Sequence, residues 1–348
     1  MKSFENNFID NIHLTPALVK SIRVIGEFKG KQDLYKKQSP QLLDVLKQTA
    51  IIQSTESSNR IEGITAPIEI IKNIVADKVK PSNRSEQEIA GYRDVLNAIH
   101  SSYEHIPVSE NVVLQFHQQL YGFTAVPGGK WKITDNEITE KSPDGKIQIR
   151  FKTVPAFQTP AFMKDLHDNF NEKITAGEID SLVLIPAYIL DFLCIHPFLD
   201  GNGRMSRLLS LLLLYQSGIE VGRFISLEKI IENSKESYYD ALYKSSQKWH
   251  TGKHNIIPWL EYFYGIILFA FKEFENRAGM ITSERGAKSS LVLDIINKSE
   301  SDFSVSDLRE KCPSVSVDMI RKILNDEKKS GRLIPIGFGR DAKWRRVK

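Results

Sequence analysis

Ile195 to Leu209 reads IHPFLDGNGRMSRLL. This run follows directly on an apolar stretch, Leu182 to Ile195, whose one charge is Asp191. His-Pro stops a helix, Asp-Gly-Asn-Gly is turn chemistry, and helical spacing resumes after it, so helix, loop, helix is expected. The loop gathers an imidazole at His196, a carboxylate at Asp200, glycines on either side of Asn202, and guanidinium groups at Arg204 and Arg207. Gly201 and Gly203 allow backbone N–H groups to approach an anion, and the positive end of the next helix points at the same place. Arg204 and Arg207, three apart, share a helix face on which both forks can clamp phosphate oxygens. Asp200 offers the hard oxygen that Mg²⁺ prefers, and His196 titrates close enough to neutrality to take a proton from a hydroxyl.

Around this loop the chain is ordinary in composition: 348 residues, 41% hydrophobic and 26% charged, which excludes a disordered, collagen-like or disulfide-scaffold protein and suggests two or three units. A net charge of +4 argues for neither a nucleic-acid nor a membrane partner by itself. Leu182–Ile195 and Ile256–Phe271 are apolar, but each holds a proline and falls short of the ~20 residues a bilayer requires, so both are expected as central helices buried on all sides. Cys194 and Cys312 match no metal or redox spacing, and MKSFENNFIDNIHL lacks a secretory pattern, so a cytoplasmic protein is expected. The other histidines, His117 among them, form no spacing that suggests a metal site and receive no role.

Helical periodicity over residues 1–103 predicts a helical region, with Ser85 as the cap of a helix carrying Ile89, Tyr92, Val95, Leu96 and Ile99 on one stripe. Alternation from Lys146 to Phe151 after Asp144-Gly145 predicts a hairpin within 130–155, set in a helical core over 104–277. The small, polar stretch AGMITSERGAKSS is expected as a linker. Residues 287–348 read as helix, strand, helix, helix and hairpin, the order of a winged helix-turn-helix, with a Ser304/Asp307 capping box, an apolar stripe at Val317, Ile320, Ile323 and Leu324, a stop at Gly331, and Leu333–Ile336 joined to Lys343–Val347 across GFGRDA. This segment carries 14 Lys+Arg against 9 Asp+Glu, which leaves DNA or protein docking open.

HPFLDGNGRMSR resembles the complete signature of the Fic family, H-P-F-x-[D/E]-G-N-G-R-x-x-R. The resemblance implies a mainly α fold, a Fic helical bundle with a β-hairpin flap. It also implies a protein adenylyltransferase that binds ATP with Mg²⁺ or Mn²⁺ and transfers AMP to a Ser, Thr or Tyr hydroxyl of a target protein, or of itself, releasing pyrophosphate. His196 would be the general base and Asp200 the metal ligand. Asn202 with the backbone of Gly201 and Gly203 would hold the α- and β-phosphates, Arg204 the β-phosphate and Arg207 the γ-phosphate.

SSNRIEGI, Ser57 to Ile64, is similar to the family's inhibitory motif through Ser58, Glu62 and Gly63, which implies a Glu62–Arg207 pair that excludes the γ-phosphate. KESYYDAL resembles a tyrosine pair near the adenine, so Tyr238 and Tyr239 are candidates for stacking, with two core aromatics as the alternative. The hairpin takes the place of a flap that would hold a target by strand addition. Removal of AMP, transfer of another nucleotide or phosphate group, and a DNA-binding nucleotide sensor are the alternatives. No membrane partner is expected, and a homodimer is left open.

Overall fold

The computed structural model describes residues 2–38, 40–141, 147–283, 287–299, 302–312, 315–337 and 343–347. The protein is mainly helical with small antiparallel sheets. It divides into two units, Met1–Phe274 and Glu275–Lys348.

In the first unit α1 (Pro16–Gln38), α2 (Pro40–Ile61), α3 (Ile68–Val75), α4 (Arg84–Ser102) and α5 (Glu110–Leu120) precede a hairpin of β1 (Glu137–Lys141) and β2 (Ile147–Lys152). The strands pair from Glu137↔Lys152, with a bulge at Ile138/Thr139. Their Asp144-Gly145 turn lies outside the described residues. Then follow α6 (Thr159–Ala176), α7 (Ser181–Ile195), α8 (Asn202–Gln216), α9 (Leu227–Asn233), α10 (Lys235–Ser246) and α11 (Ile257–Ser283), whose residues after Phe274 are counted with the second unit. The cap of α4 is Asn83 rather than Ser85: its side chain accepts from Glu86 N, so the helix starts two positions earlier than expected.

Helix α7 is buried along its length from Leu182 to Ile195 and organises the core. Its interior Pro186 cannot donate to Leu182 O, and the Tyr264 hydroxyl takes that carbonyl instead at 3.0 Å. Its carboxylate, Asp191, accepts from the Ser3 hydroxyl at 2.7 Å, Ser3 N and the Trp249 indole, while burial pushes its pKa up to about 6. The second apolar stretch differs from expectation: α11 buries Trp259, Phe263, Ile267 and Phe271 but leaves Phe269 58% exposed, so it covers the core from one side. Among the described residues no helix is long and apolar enough to cross a membrane. Ile25, Tyr92, Leu96 and Ile99 belong to the same core as α7, so α1 and α4 share that core with the residues that follow, while Ile71 and Ile74 of α3 pack in a smaller cluster with Ile89 and Ala90.

In the second unit α12 (Ala287–Lys298), β3 (Phe303–Ser304), α13 (Val305–Lys311), α14 (Val317–Lys329), β4 (Leu333–Ile336) and β5 (Lys343–Arg346) follow one another, with sheet order β3-β5-β4. The Ser304/Asp307 capping box is formed, and Ile320, Ile323 and Leu324 face a separate core with Val292, Phe303 and Leu333. The expected linker contributes helix at both ends, since α11 runs to Ser283 and α12 starts at Ala287. Most of GFGRDA lies outside the described residues.

Candidate active site

The loop between α7 and α8 is shaped by its own side chains. His196 ends α7 in the left-handed region at φ 52°, and its N–H reaches Phe192 O at 2.9 Å. A residue with a Cβ is strained there. Nδ1 lies 3.3 Å from Leu193 O; a carbonyl only accepts, so Nδ1 carries the proton and Nε2 keeps its lone pair. Burial pulls the His196 pKa down to about 4, with the Lys132 ammonium acting in the same direction and Leu193 O, Glu62 and Asp200 opposing. The imidazole is therefore neutral at pH 7.

Asn202 grips Phe198 from both sides, Oδ1 accepting from Phe198 N at 2.9 Å and Nδ2 donating to Phe198 O at 2.7 Å. Its amide thus shapes the loop instead of facing open space, unlike the phosphate contact expected of it. Gly201, at φ 82°, turns the chain into α8 and gives its N–H to the Asp200 carboxylate at 2.6 Å. The Asp200 side chain is 65% exposed. Among the described residues no three His, Cys, Asp or Glu side chains cluster to hold a metal ion. A cation at Asp200 would take its other ligands from phosphate and water, as suits Mg²⁺.

The two arginines separate. Arg207 Nε donates to Ser58 Oγ at 2.8 Å, and its Nη2 reaches Ser58 O at 2.9 Å and Glu62 Oε1 at 2.8 Å. Gly63, at φ 80°, closes the turn that presents Glu62. The end of α2 is itself tied down: Ser54 to Glu228, Ser57 and Arg60 to Glu232, and Ile61 O to Lys235. Arg204, expected on a phosphate, is instead wholly buried: Nη1 pairs with Glu88 at 2.8 Å and Nη2 donates to the Tyr121 hydroxyl at 2.8 Å. It braces α8 against α4 and α5.

The tyrosines also divide. Tyr238 is 3% exposed and packs edge-on against Trp259, so its ring is core and not free to stack on a base. Tyr239, 45% exposed, keeps a face toward solvent with Lys235 Nζ 5.8 Å from its ring. A cleft of about 540 Å³ lies elsewhere, between Phe8 and Asn11 on one side and His250 to Ile257 on the other, and is lined by none of the signature residues.

Two further groups brace the loop. His117 accepts at Nδ1 from Gly129 N at 2.9 Å, so its Nε2 carries the proton and donates to Asp200 O at 3.1 Å, while its ring stacks on Phe198 at 3.6 Å. Lys132 places its ammonium 3.0 Å from Ile195 O, and its main-chain N–H reaches Pro197 O at 2.8 Å. Neither residue has a sequence signal, because each acts on segments far along the chain. Glu88 had one: it sits four before Tyr92, a charge on an apolar helix stripe.

Residues 107–214 match the Fic/DOC family. A curated relative, "Protein adenylyltransferase Fic" of Nematostella vectensis, is 26% identical over 177 residues, covering 49% of this chain and 38% of that protein. This chain therefore aligns with well under half the length of that relative. Among solved structures, a Fic family protein from Desulfovibrio desulfuricans G20 superposes with a TM-score of 0.64 at 21% identity over 97% of both chains. A Fic domain containing signaling protein from Bacteroides thetaiotaomicron VPI-5482 gives 0.61 at 19% identity, over 73% of this chain and 96% of that one. Fic-1 from C. elegans gives 0.59 at 21%, over 77% and 74%. At these identities the structural likeness establishes the fold.

Proposed function

We propose that this chain, whose residues 107–214 match the Fic/DOC family, is a protein adenylyltransferase that transfers AMP from ATP to a hydroxyl of a target protein and is autoinhibited by Glu62. The observation that carries the reading is the Glu62 carboxylate seated on Arg207 beside the first turn of α8, where the helix N-terminus favours a polyphosphate. The protein's own anion stands where the substrate's would.

Nε2 of His196 takes the proton of the incoming hydroxyl as its oxygen attacks the α-phosphorus, and the bond to pyrophosphate breaks. The loop N–H groups before and within the first turn of α8 hold the phosphates, and Arg207 receives the γ-phosphate once Glu62 withdraws. Asp200 would hold Mg²⁺, which supplies charge neutralisation on the phosphates. Tyr239 is the remaining candidate for the adenine side. The second unit, whose α14 exposes Arg321, Lys322, Lys328 and Lys329, is assigned to recruiting a target or DNA.

A second reading rests on the same carboxylate: Glu62 is one-third exposed and could orient a water for removal of AMP from a modified target. The test incubates wild type, Glu62→Gly and His196→Ala with Mg²⁺ and α- or γ-labelled ATP, with and without cell extract. Protein labelling by the α-label alone, increased in Glu62→Gly and absent in His196→Ala, supports transfer. γ-labelling would make it a kinase-like enzyme, and no labelling by either would favour removal of AMP or a nucleotide sensor.

A further inference from the structure

Lys132 is 3% exposed, and its ammonium meets three neutral oxygens: Asn136 Oδ1 at 2.8 Å, Thr153 Oγ1 at 2.9 Å and Ile195 O at 3.0 Å. A buried cation with no carboxylate in contact among the described residues is costly, so its placement calls for a reason beyond packing. Its acceptors supply one. Asn136 precedes β1 and Thr153 follows β2, so the two strand ends of the hairpin meet at this ammonium. Ile195 and Pro197 bracket His196, and Lys132 holds the first through Nζ and the second through its main-chain N–H. Asn136 extends the junction by donating Nδ2 to Phe198 O at 2.9 Å.

Resting on the transferase reading, we propose that Lys132 is a positioning residue that fastens the base of the flap hairpin to the loop carrying His196 and keeps a fixed positive charge beside that imidazole. The same residue thereby sets where a target strand lies relative to the base and adds its charge to the burial that keeps the base unprotonated. The charged groups around His196 are Lys132 from the hairpin base, Glu62 from the turn after α2, and Asp200 from its own loop; Asp135 is the carboxylate acting on Lys132. Burial lowers the Lys132 pKa to about 8, with Asp135 opposing, so the ammonium remains charged at pH 7.

The test is an NMR titration of the histidine ring protons in the full chain, with the His196 signal identified by its loss in His196→Ala. Lys132→Met is expected to raise the His196 pKa by about one unit. Lys132→Arg, which keeps the charge, and Thr153→Val, which removes one acceptor, should leave it within about 0.3 unit. In the Glu62→Gly background, the acid limb of label transfer should move up in pH with Lys132→Met and return with Lys132→Arg. Thermal melts check folding, and Lys132→Gln replaces Lys132→Met if that variant does not fold. An unchanged His196 pKa in the folded, uncharged variant overturns the proposal, even if AMP is transferred. A shifted pKa with no transfer in Glu62→Gly supports the role of Lys132 and rejects the transferase reading alone.

Discussion

Oε1 of Glu62 lies so close to Gly203 that a Cβ built on that glycine would collide with it. The carboxylate thus occupies the space over the first turn of α8 while pairing with Arg207. Both contacts depend on Gly203 having no side chain, which is a reason for glycine independent of phosphate binding. Gly203→Ala should therefore destabilise the wild type by more than it destabilises Glu62→Gly. A coupling of about 1 kcal/mol is expected from a denaturant-based double-mutant cycle. Additive costs would place the carboxylate elsewhere in solution.

Glu62→Gly should increase incorporation of α-label by about tenfold or more. The carboxylate is one-third exposed, so its pair with Arg207 is held to about 1–2 kcal/mol, and 1.4 kcal/mol is a factor of ten. The gain should appear as tighter productive use of ATP. Equal initial rates for variant and wild type across ATP concentrations would defeat the autoinhibition.

Acid should destabilise the fold over a defined window. Burial lowers the pKa of His100 to about 3 and those of His117, His167, His196 and His254 to about 4. Between the unfolded value of 6.5 and these, the unfolded chain binds protons that the folded chain does not, so stability is full above about 6.5 and is lost toward 4. Asp191, raised to about 6, works against this as pH falls, but it is one group against five. The melting temperature should drop by on the order of 10 °C between pH 7 and 5. A flat profile would show that these imidazoles are not held neutral.

The legible parts of this protein were the contiguous ones. Within twelve residues the signature spells out a helix stop, a turn and a helix start, and the resemblance of Ser58, Glu62 and Gly63 to the family's inhibitory motif implied the partnership of Glu62 with Arg207. The role of Arg204 could not, because Glu88 and Tyr121 reach it from α4 and α5 and turn a phosphate fork into a buried brace. Tyr238 and Tyr239 are neighbours in sequence, and only the packing of Trp259 decides which of them is core. Helical period likewise marked α7 and α11 alike, whereas Phe269 shows that one of them meets solvent.

His196 in the left-handed region makes a prediction about stability as well as activity. His196→Gly and His196→Ala should both abolish transfer, since each removes Nε2. They should differ in the fold, with the glycine variant more stable by about 1 kcal/mol because it adopts φ 52° without strain. Thermal melts of the two purified variants decide this, and an alanine variant at least as stable as the glycine one would mean the strain is absent.

Glu88 should be worth more to stability than to nucleotide affinity. Its carboxylate is 2.8 Å from a guanidinium that is wholly buried, so Glu88→Gln leaves Arg204 with neutral acceptors and Asp200 at 4.0 Å. Removing one partner of a buried pair costs about 3–5 kcal/mol, whereas replacing both with apolar residues of similar volume is often close to neutral. Glu88→Gln should therefore unfold at markedly lower denaturant, and Glu88→Leu combined with Arg204→Met should recover to within about 1 kcal/mol of wild type. If Arg204 instead held a phosphate, Glu88→Gln would leave the denaturation midpoint near wild type, and the double variant would lose affinity for ATP without regaining stability.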